Sequence, residues 1–193
     1  YSVTFYNDVD RDLETLRAYA AFREEAEAAG MRHFLEVFNP AFPIDTGEVD
    51  LGFFINDCIA RALAGIAAAE RPLFLKMAYN GPRAMEELAS FDPANLIVGI
   101  LGGAAGTTRD TMELIAQAER YGARVALFGR KIWHAESQVD IVRLMRAVVE
   151  GQATPKQAVK LYHDALAKVG IRAKRPLEED CEITEPVLKA GAR

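Results

Sequence analysis

The stretch LFLKMAYNG, residues 73–81, places one lysine in the middle of an apolar run with the length and residue types of a buried strand. Gly81 and the following Pro82 end the run. A buried ammonium group is costly unless it is paired or neutralised. Lys76 therefore needs either a charged partner or a chemical role.

Similar apolar runs lie on both sides of this strand and alternate with helical patterns. The five predicted strands are SVTFYND (2–8), HFLEVFNP (33–40), LFLKMAY (73–79), NLIVGILGG (95–103) and RVALFGR (124–130). The predicted helices between them cover residues 11–30, 54–70, 83–91 and 108–122, and two further helices and a charged tail follow the last strand. This alternation predicts an α/β fold with parallel strands in chain order, and both an open doubly wound sheet and a closed barrel fit it.

The composition is that of an ordinary soluble globular protein. The 193 residues predict a single domain over 1–193, in which about 133–193 form C-terminal helices and a tail. The net charge of -5 and the lack of a basic cluster argue against nucleic-acid binding. No apolar stretch reaches the roughly 18 residues of a membrane span. Cys58 and Cys181 lie far apart and in no metal spacing, so we expect a reducing, cytoplasmic location and no metal.

A glutamate and a lysine occupy neighbouring predicted strands. Glu36 lies within HFLEVF and Lys76 within LFLKMAY, and parallel α/β folds build their sites at the carboxyl ends of strands. The plain alternatives are a structural ion pair between the two, or a lysine that reaches solvent from an edge strand. An ion pair and a catalytic pair have the same geometry, so proximity alone does not separate them.

Two glycine-containing segments follow the last two predicted strands. In LGGAAGTTRD, Gly102 and Gly103 precede a capped helix, where free backbone N–H groups can surround an anion. The alternative is a tight turn. In FGRKIW, Gly129 and Arg130 come directly after the next strand, and arginine binds phosphate oxygens in a bidentate manner. Together the segments predict a phosphate site, although Arg130 alone would usually be a surface residue.

These residues resemble a known family. VTFYNDVD, FLEVF, FLKMAYNG, ILGGAAGTT and ALFGRKIW occur in the order found in class I aldolases of the group that includes tagatose-bisphosphate, sulfofructose-phosphate and archaeal-type fructose-bisphosphate aldolases. The family fold is a (β/α)8 TIM barrel, so the resemblance implies that this chain holds strands 4–8. Strands 1–3 would then be missing, which predicts an open gap of roughly 90 residues at about 30 residues per unit.

The resemblance also implies a role for each candidate residue. Lys76 would be the Schiff-base lysine and Glu36 the acid–base glutamate. Tyr79 is a weaker proton-transfer candidate on the residues alone. The substrate phosphate would lie at Gly102, Gly103, Gly129 and Arg130. Tagatose-type members carry a lysine early in strand 4, but the matching position here lies near Ser2, and the loop PAFPIDTGEVDLG also departs from the best-known members.

The expected function is therefore that of a metal-independent class I aldolase. It would cleave a phosphorylated ketose or related keto compound reversibly through a lysine imine, without a cofactor, in carbohydrate metabolism. Burial of Lys76 would favour the neutral amine that such chemistry needs. The alternatives are a phosphate-binding barrel with other imine or isomerase chemistry, and a non-catalytic sugar-phosphate-binding protein. We expect a homo-oligomer that binds neither nucleic acid nor membrane.

Overall fold

The structure, a computed structural model, describes residues 1–102 and 106–192. Its strands are β1 (Ser2–Thr4), β2 (Leu35–Phe38), β3 (Leu75–Met77), β4 (Val98–Leu101) and β5 (Val125–Leu127). Its helices are α1 (Val9–Ala28), α2 (Leu51–Ala64), α3 (Pro82–Phe91), α4 (Thr108–Arg120), α5 (Arg130–Trp133), α6 (Gln138–Val149), α7 (Pro155–Lys168), α8 (Leu177–Asp180) and α9 (Pro186–Lys189).

The five strands form one parallel sheet in the order β1-β2-β3-β4-β5, and the predicted alternation is confirmed. A doubly wound sheet reverses its strand order at a switch point. The described strands contain no such reversal, because each pairs with the next along the chain. This arrangement is consistent with part of a TIM-barrel-like unit.

The face of the sheet that meets the helices is apolar. Alternate strand residues point to opposite faces, and one set is at most 1% exposed: Leu35, Val37, Leu75, Met77, Val98 and Ile100. The core they form includes residues of α2, α3 and α4. The other set, to which Glu36 and Lys76 belong, therefore faces away from the helices.

Helix α4 joins two hydrophobic clusters. Leu114 and Ala118 belong to the cluster beneath the sheet. Met112 and Ile115 belong to a second cluster, which is completed by α6 and α7. The sequence predicted two helices after the last strand, and these are α6 and α7. The structure adds the short helices α5, α8 and α9.

Side-chain caps set where several helices begin. Asp8, not the expected Asp10, caps α1 and accepts a hydrogen bond from the Arg11 amide. Thr107, one residue before the expected Thr108, forms a capping box with Asp110 at α4. The capping box predicted at TPKQ is confirmed, with Thr154 and Gln157 as its members. No described helix combines the length and the apolar character required to cross a bilayer.

The C-terminal segment, residues 177–189, packs against the start of α4. Asp110 accepts hydrogen bonds from the Thr184 amide at 2.8 Å and from the Glu185 amide at 3.2 Å. Asp180 accepts one from the Thr108 amide at 2.7 Å. The sequence left open whether this tail is a packed arm or a loose end. Within the described residues it is a packed arm.

Asp110 is a buried carboxylate whose charge is stabilised in the fold. Burial raises its pKa, but hydrogen bonds from Thr184, Thr107 and Glu185 outweigh burial and lower the pKa overall. A carboxylate with a lowered folded-state pKa stabilises the protein above its unfolded pKa. That contribution is lost as the pH falls through the folded pKa.

We expect Asp110→Asn to lower the free energy of unfolding at pH 7 by about 1–3 kcal/mol, because hydrogen-bond donors lose a charged acceptor. The difference in unfolding free energy between the variant and the wild type should become smaller as the pH falls below about 4, where the carboxyl group of the unfolded chain takes up its proton. Urea denaturation at pH 7 and pH 3 measures both effects. An equal loss at both pH values would contradict the electrostatic account.

Candidate active site

Lys76 and Glu36 form an ion pair across two neighbouring strands. They are register partners on β3 and β2, and the Lys76 Nζ lies 2.7 Å from the Glu36 Oε1. The parallel pairing puts both side chains on the face that the helices leave free. The structure thus brings together the two main residues that the sequence selected.

The second carboxylate oxygen of Glu36 has its own donor. Ser2, the register partner of Glu36 on β1, donates from its hydroxyl to the Glu36 Oε2 at 3.2 Å. Ser2 is the position near which the tagatose-type resemblance has a lysine. The Ser2 hydroxyl is neutral. Among the described residues, the positive charge in contact with Glu36 therefore comes from Lys76.

Lys76 is less buried than its apolar strand predicted. Its side chain keeps 25% of its exposure, and that of Glu36 keeps 14%. The ammonium group is therefore shielded by the sheet face but remains open to a molecule that approaches from it. A structural ion pair needs no such access.

Glycine occupies the register position beside Lys76 on the next strand. Gly99 of β4 pairs with Lys76, and a Cβ atom at Gly99 would lie 2.6 Å from the Leu75 carbonyl oxygen. It would also lie 3.2 Å from the Cβ of Val125 on β5. Strands β3, β4 and β5 can pack this closely only because the position has no side chain. Gly99 was not among the site residues expected from the sequence, although a glycine within a strand often signals a close backbone approach.

Tyr79 lies apart from the ion pair. Tyr79 is an even number of residues from Leu75 and Met77, and its side chain is buried with theirs in the core. Its hydroxyl donates to the Gln117 Oε1 at 2.9 Å, and burial raises its pKa. The structure does not bring Tyr79 together with Lys76, because the Tyr79 side chain lies in the core and its hydroxyl contacts Gln117.

Two asparagines, which the sequence analysis did not select, meet just beyond the carboxyl ends of β2 and β3. Asn39 donates to the Asn80 Oδ1 at 2.6 Å, and Asn80 donates to the Asn39 Oδ1 at 3.1 Å. Each follows its strand by one or three residues, which is where parallel α/β folds place ligand-binding groups. The signal available in the sequence was an asparagine after each of two adjacent strands.

The loops that follow β4 and β5 contact one another. A Cβ atom at Gly102 would lie 2.8 Å from the Phe128 ring, so glycine allows the two loops to pack. The Lys131 Nζ donates to the Gly106 carbonyl at 2.9 Å and ties the loops a second time. Gly129 directly precedes α5, whose first residue is Arg130. Gly103, also predicted to bind phosphate, lies outside the described residues.

The amides at the start of α4 are already occupied. The Thr107 amide donates to Asp110 at 2.9 Å, and the Thr108 amide donates to Asp180 at 2.7 Å. The expectation that free N–H groups here surround an anion therefore does not hold at these two residues.

Arg130 is exposed and borders a cavity of about 410 Å³ that is also lined by Lys131. Burial lowers the pKa of Lys131, and Asp110 nearby offsets part of that shift. Within the described ranges, no group of three or more histidine, cysteine, aspartate or glutamate residues is arranged to hold a metal ion.

Comparison with known proteins finds a distant relative with an aldolase name. No protein-family model matches the chain. A protein named uncharacterized aldolase from Pasteurella multocida (strain Pm70) is 28% identical over 103 residues, which is 53% of this chain and 35% of that protein. The aligned stretch thus covers about a third of the relative's length. The similarity supports an aldolase-like protein in general and does not reach a particular aldolase group.

We expect Gly99→Ala to lower the free energy of unfolding by about 1–3 kcal/mol, because the new methyl group would collide with the Leu75 carbonyl and overpack the sheet. Gly129→Ala is the matched control. Nothing lies within 4 Å of a Cβ there, so its effect should stay within about 0.5 kcal/mol. Urea denaturation of both variants tests the difference, and equal midpoints would contradict the close-approach account.

Proposed function

We propose that this protein is a class I aldolase in which Lys76 forms an imine with a phosphorylated ketose or related keto compound. In this proposal β1 to β5 correspond to strands 4–8 of a (β/α)8 barrel. The observation that carries it is the Lys76–Glu36 pair, with its 2.7 Å contact on the accessible face of the parallel sheet. The aldolase name of the distant relative supports the reaction class.

Glu36 is placed to move the protons that imine formation requires. Transfer of an ammonium proton from Lys76 to the Glu36 carboxylate leaves a neutral amine and a carboxylic acid. The amine attacks the ketone carbon, the carbonyl π bond breaks, and the amine proton moves to the oxygen to give a carbinolamine. Glu36 then gives its proton to the departing hydroxyl, water leaves, and a protonated imine remains.

The protonated imine then acts as the electron sink for carbon–carbon bond cleavage. The hydroxyl proton of the neighbouring carbinol passes to a base, for which the Glu36 carboxylate is now available. The electron pair of the broken bond becomes an enamine, and an aldehyde departs. Protonation of the enamine carbon and addition of water to the resulting imine release the second product and restore Lys76.

Ser2 gives Glu36 a different setting from that in the tagatose-type resemblance. Its hydroxyl hydrogen bond fixes the carboxylate without adding a second positive charge. Among the residues that the structure describes, Glu36 then pairs with Lys76 alone, and the proton passes between these two side chains. We propose that the loops after β4 and β5 bind the phosphate end of the substrate through Gly102, Gly103, Gly129 and Arg130, which positions the carbonyl group at Lys76.

We expect borohydride to inactivate the protein irreversibly only when a keto substrate such as dihydroxyacetone phosphate is present. The added mass should map by peptide mass spectrometry to the peptide that contains Lys76. Lys76→Met should abolish trapping, because its side chain has no amine. Lys160→Met is the matched control, because Lys160 is an exposed lysine of α7.

Lys76→Met leaves Glu36 without a cation and risks a loss of stability. Lys76→Arg removes that ambiguity, because a guanidinium keeps the positive charge beside Glu36 but does not form the imine. Both variants should lack trapping, and Lys76→Arg should retain the circular dichroism spectrum of the wild type. Trapping at another lysine, or activity in either variant, would refute the mechanism and favour a structural ion pair.

We expect Arg130→Ala to weaken the binding of a phosphorylated substrate by about tenfold or more, because a charged hydrogen bond contributes about 1.5–3 kcal/mol. Calorimetric titration measures the affinity. Arg32→Ala is the matched control, since Arg32 is exposed and precedes β2 at the opposite end of the sheet. An unchanged affinity in Arg130→Ala would remove Arg130 from the phosphate site.

A further inference from the structure

The cavity beside Arg130 lies outside the sheet face that carries Lys76. It is enclosed by the start of α4, by α5, and by side chains from α6, α7 and the C-terminal segment. Its volume is about 410 Å³, within the usual range of small-molecule sites. The charged side chains in its wall are Arg130, Lys131, Lys174, Arg175, Glu136 and Asp180.

The wall is positively charged in a protein that is acidic as a whole. Four cationic side chains face two carboxylates, whereas the whole chain carries a net charge of -5. Local charge of one sign in a concave, low-dielectric site concentrates ions of the opposite sign. The cavity therefore attracts an anion despite the charge of the rest of the protein.

The two lysines are held in place by neutral groups. Lys131 donates to the Gly106 carbonyl at 2.9 Å, and Lys174 donates to the His134 carbonyl. A carbonyl oxygen orients an ammonium group but does not neutralise it. Each lysine is thus oriented by one carbonyl oxygen and has further N–H donors to offer.

Arg175 forms one long ion pair, with Glu179, and Arg130 forms none among the described residues. The nearest acidic contact of Arg175 is Glu179 at 3.7 Å, and the described salt bridges and hydrogen bonds do not include Arg130. Arginine side chains in this state suit the bidentate recognition of phosphate.

The carboxylates of the wall are already engaged by the protein itself. Asp180 accepts the Thr108 amide and contacts the His163 Nε2 at 3.0 Å. Glu136 accepts the Tyr162 hydroxyl at 3.1 Å and the Lys174 amide at 2.8 Å. These carboxylates are therefore engaged in hydrogen bonds within the protein, whereas the cationic side chains can still donate to a ligand.

We propose that this cavity binds the phosphoryl group of a small anionic ligand at a site separate from Lys76. Ammonium and guanidinium groups line it, and Thr108 adds a hydroxyl group. Such a set matches the several oxygens of a phosphoryl group. Arg130 borders this cavity and also takes part in the proposed substrate site, so occupation of one site affects the other through this side chain.

Two residues just before the C-terminal segment distinguish this site from the substrate phosphate site. Lys174 and Arg175 line the cavity, and the proposed aldolase site does not use them. Inorganic pyrophosphate serves as the probe. Calorimetric titration at low ionic strength should show that the double variant Lys174→Gln/Arg175→Gln binds pyrophosphate about tenfold or more weakly than the wild type.

The matched control is Lys168→Gln/Lys189→Gln, which removes the same charge from exposed positions outside the cavity wall. It should bind pyrophosphate as the wild type does, as should Lys76→Arg. If Arg130→Ala weakens binding while Lys174→Gln/Arg175→Gln does not, pyrophosphate occupies only the substrate phosphate site and the proposal is wrong. Equal affinity for citrate would overturn the assignment to a phosphoryl group.

A measurement on the unaltered chain guards against misfolded variants. Acetic anhydride modifies accessible lysines, and mass spectrometry locates each acetyl group. Pyrophosphate should protect Lys131 and Lys174 but leave Lys168 and Lys189 unprotected. Equal modification with and without pyrophosphate would refute the site. Borohydride trapping at Lys76 should persist in Lys174→Gln/Arg175→Gln, so the two proposals fail or succeed separately.

Discussion

The contact between Lys76 and Glu36 depends on the pairing register of β2 and β3. The same register buries Leu75 and Met77 among the helices and turns Lys76 to the opposite face. A slip by one residue would place the lysine in the core and the leucine on the open face. The register that packs the apolar core is therefore also the register that sets Lys76 beside Glu36 in the candidate site.

The neighbouring residues extend this constraint across the sheet. One row of register partners crosses the sheet, and its side chains differ greatly in size. The row consists of Ser2, Glu36, Lys76, Gly99 and Val125. On one side of Lys76 is a carboxylate held at both oxygens. On its other side the row has a glycine, which lets the strands approach closely. The polar part of the row is thus confined to the β1–β3 side of the sheet.

The sequence was informative where the cause is local. Apolar runs identified all five strands. The predicted strands were longer than the observed ones, because hydrogen bonding between two strands ends where the strands diverge. The parity of Tyr79 already placed it with Leu75 and Met77, so its distance from Lys76 was readable from the two-residue period. The Asp180 and Asp110 contacts were not readable, since they join residues more than 70 positions apart through the fold.

Those contacts have a consequence for the order in which the protein is assembled on the ribosome. The Thr108 amide can donate to Asp180 only after Asp180, 72 residues further along the chain, has been synthesised. In the same way, the Asp110 carboxylate can accept from Thr184 only after a further 74 residues. Chains emerge from the amino terminus, so the sheet strands leave the exit tunnel long before these partners. The start of α4 therefore reaches its final arrangement only after residues 180–184 have been synthesised. The polar contacts that fix the start of α4 thus form after the strands of the supporting sheet have been synthesised.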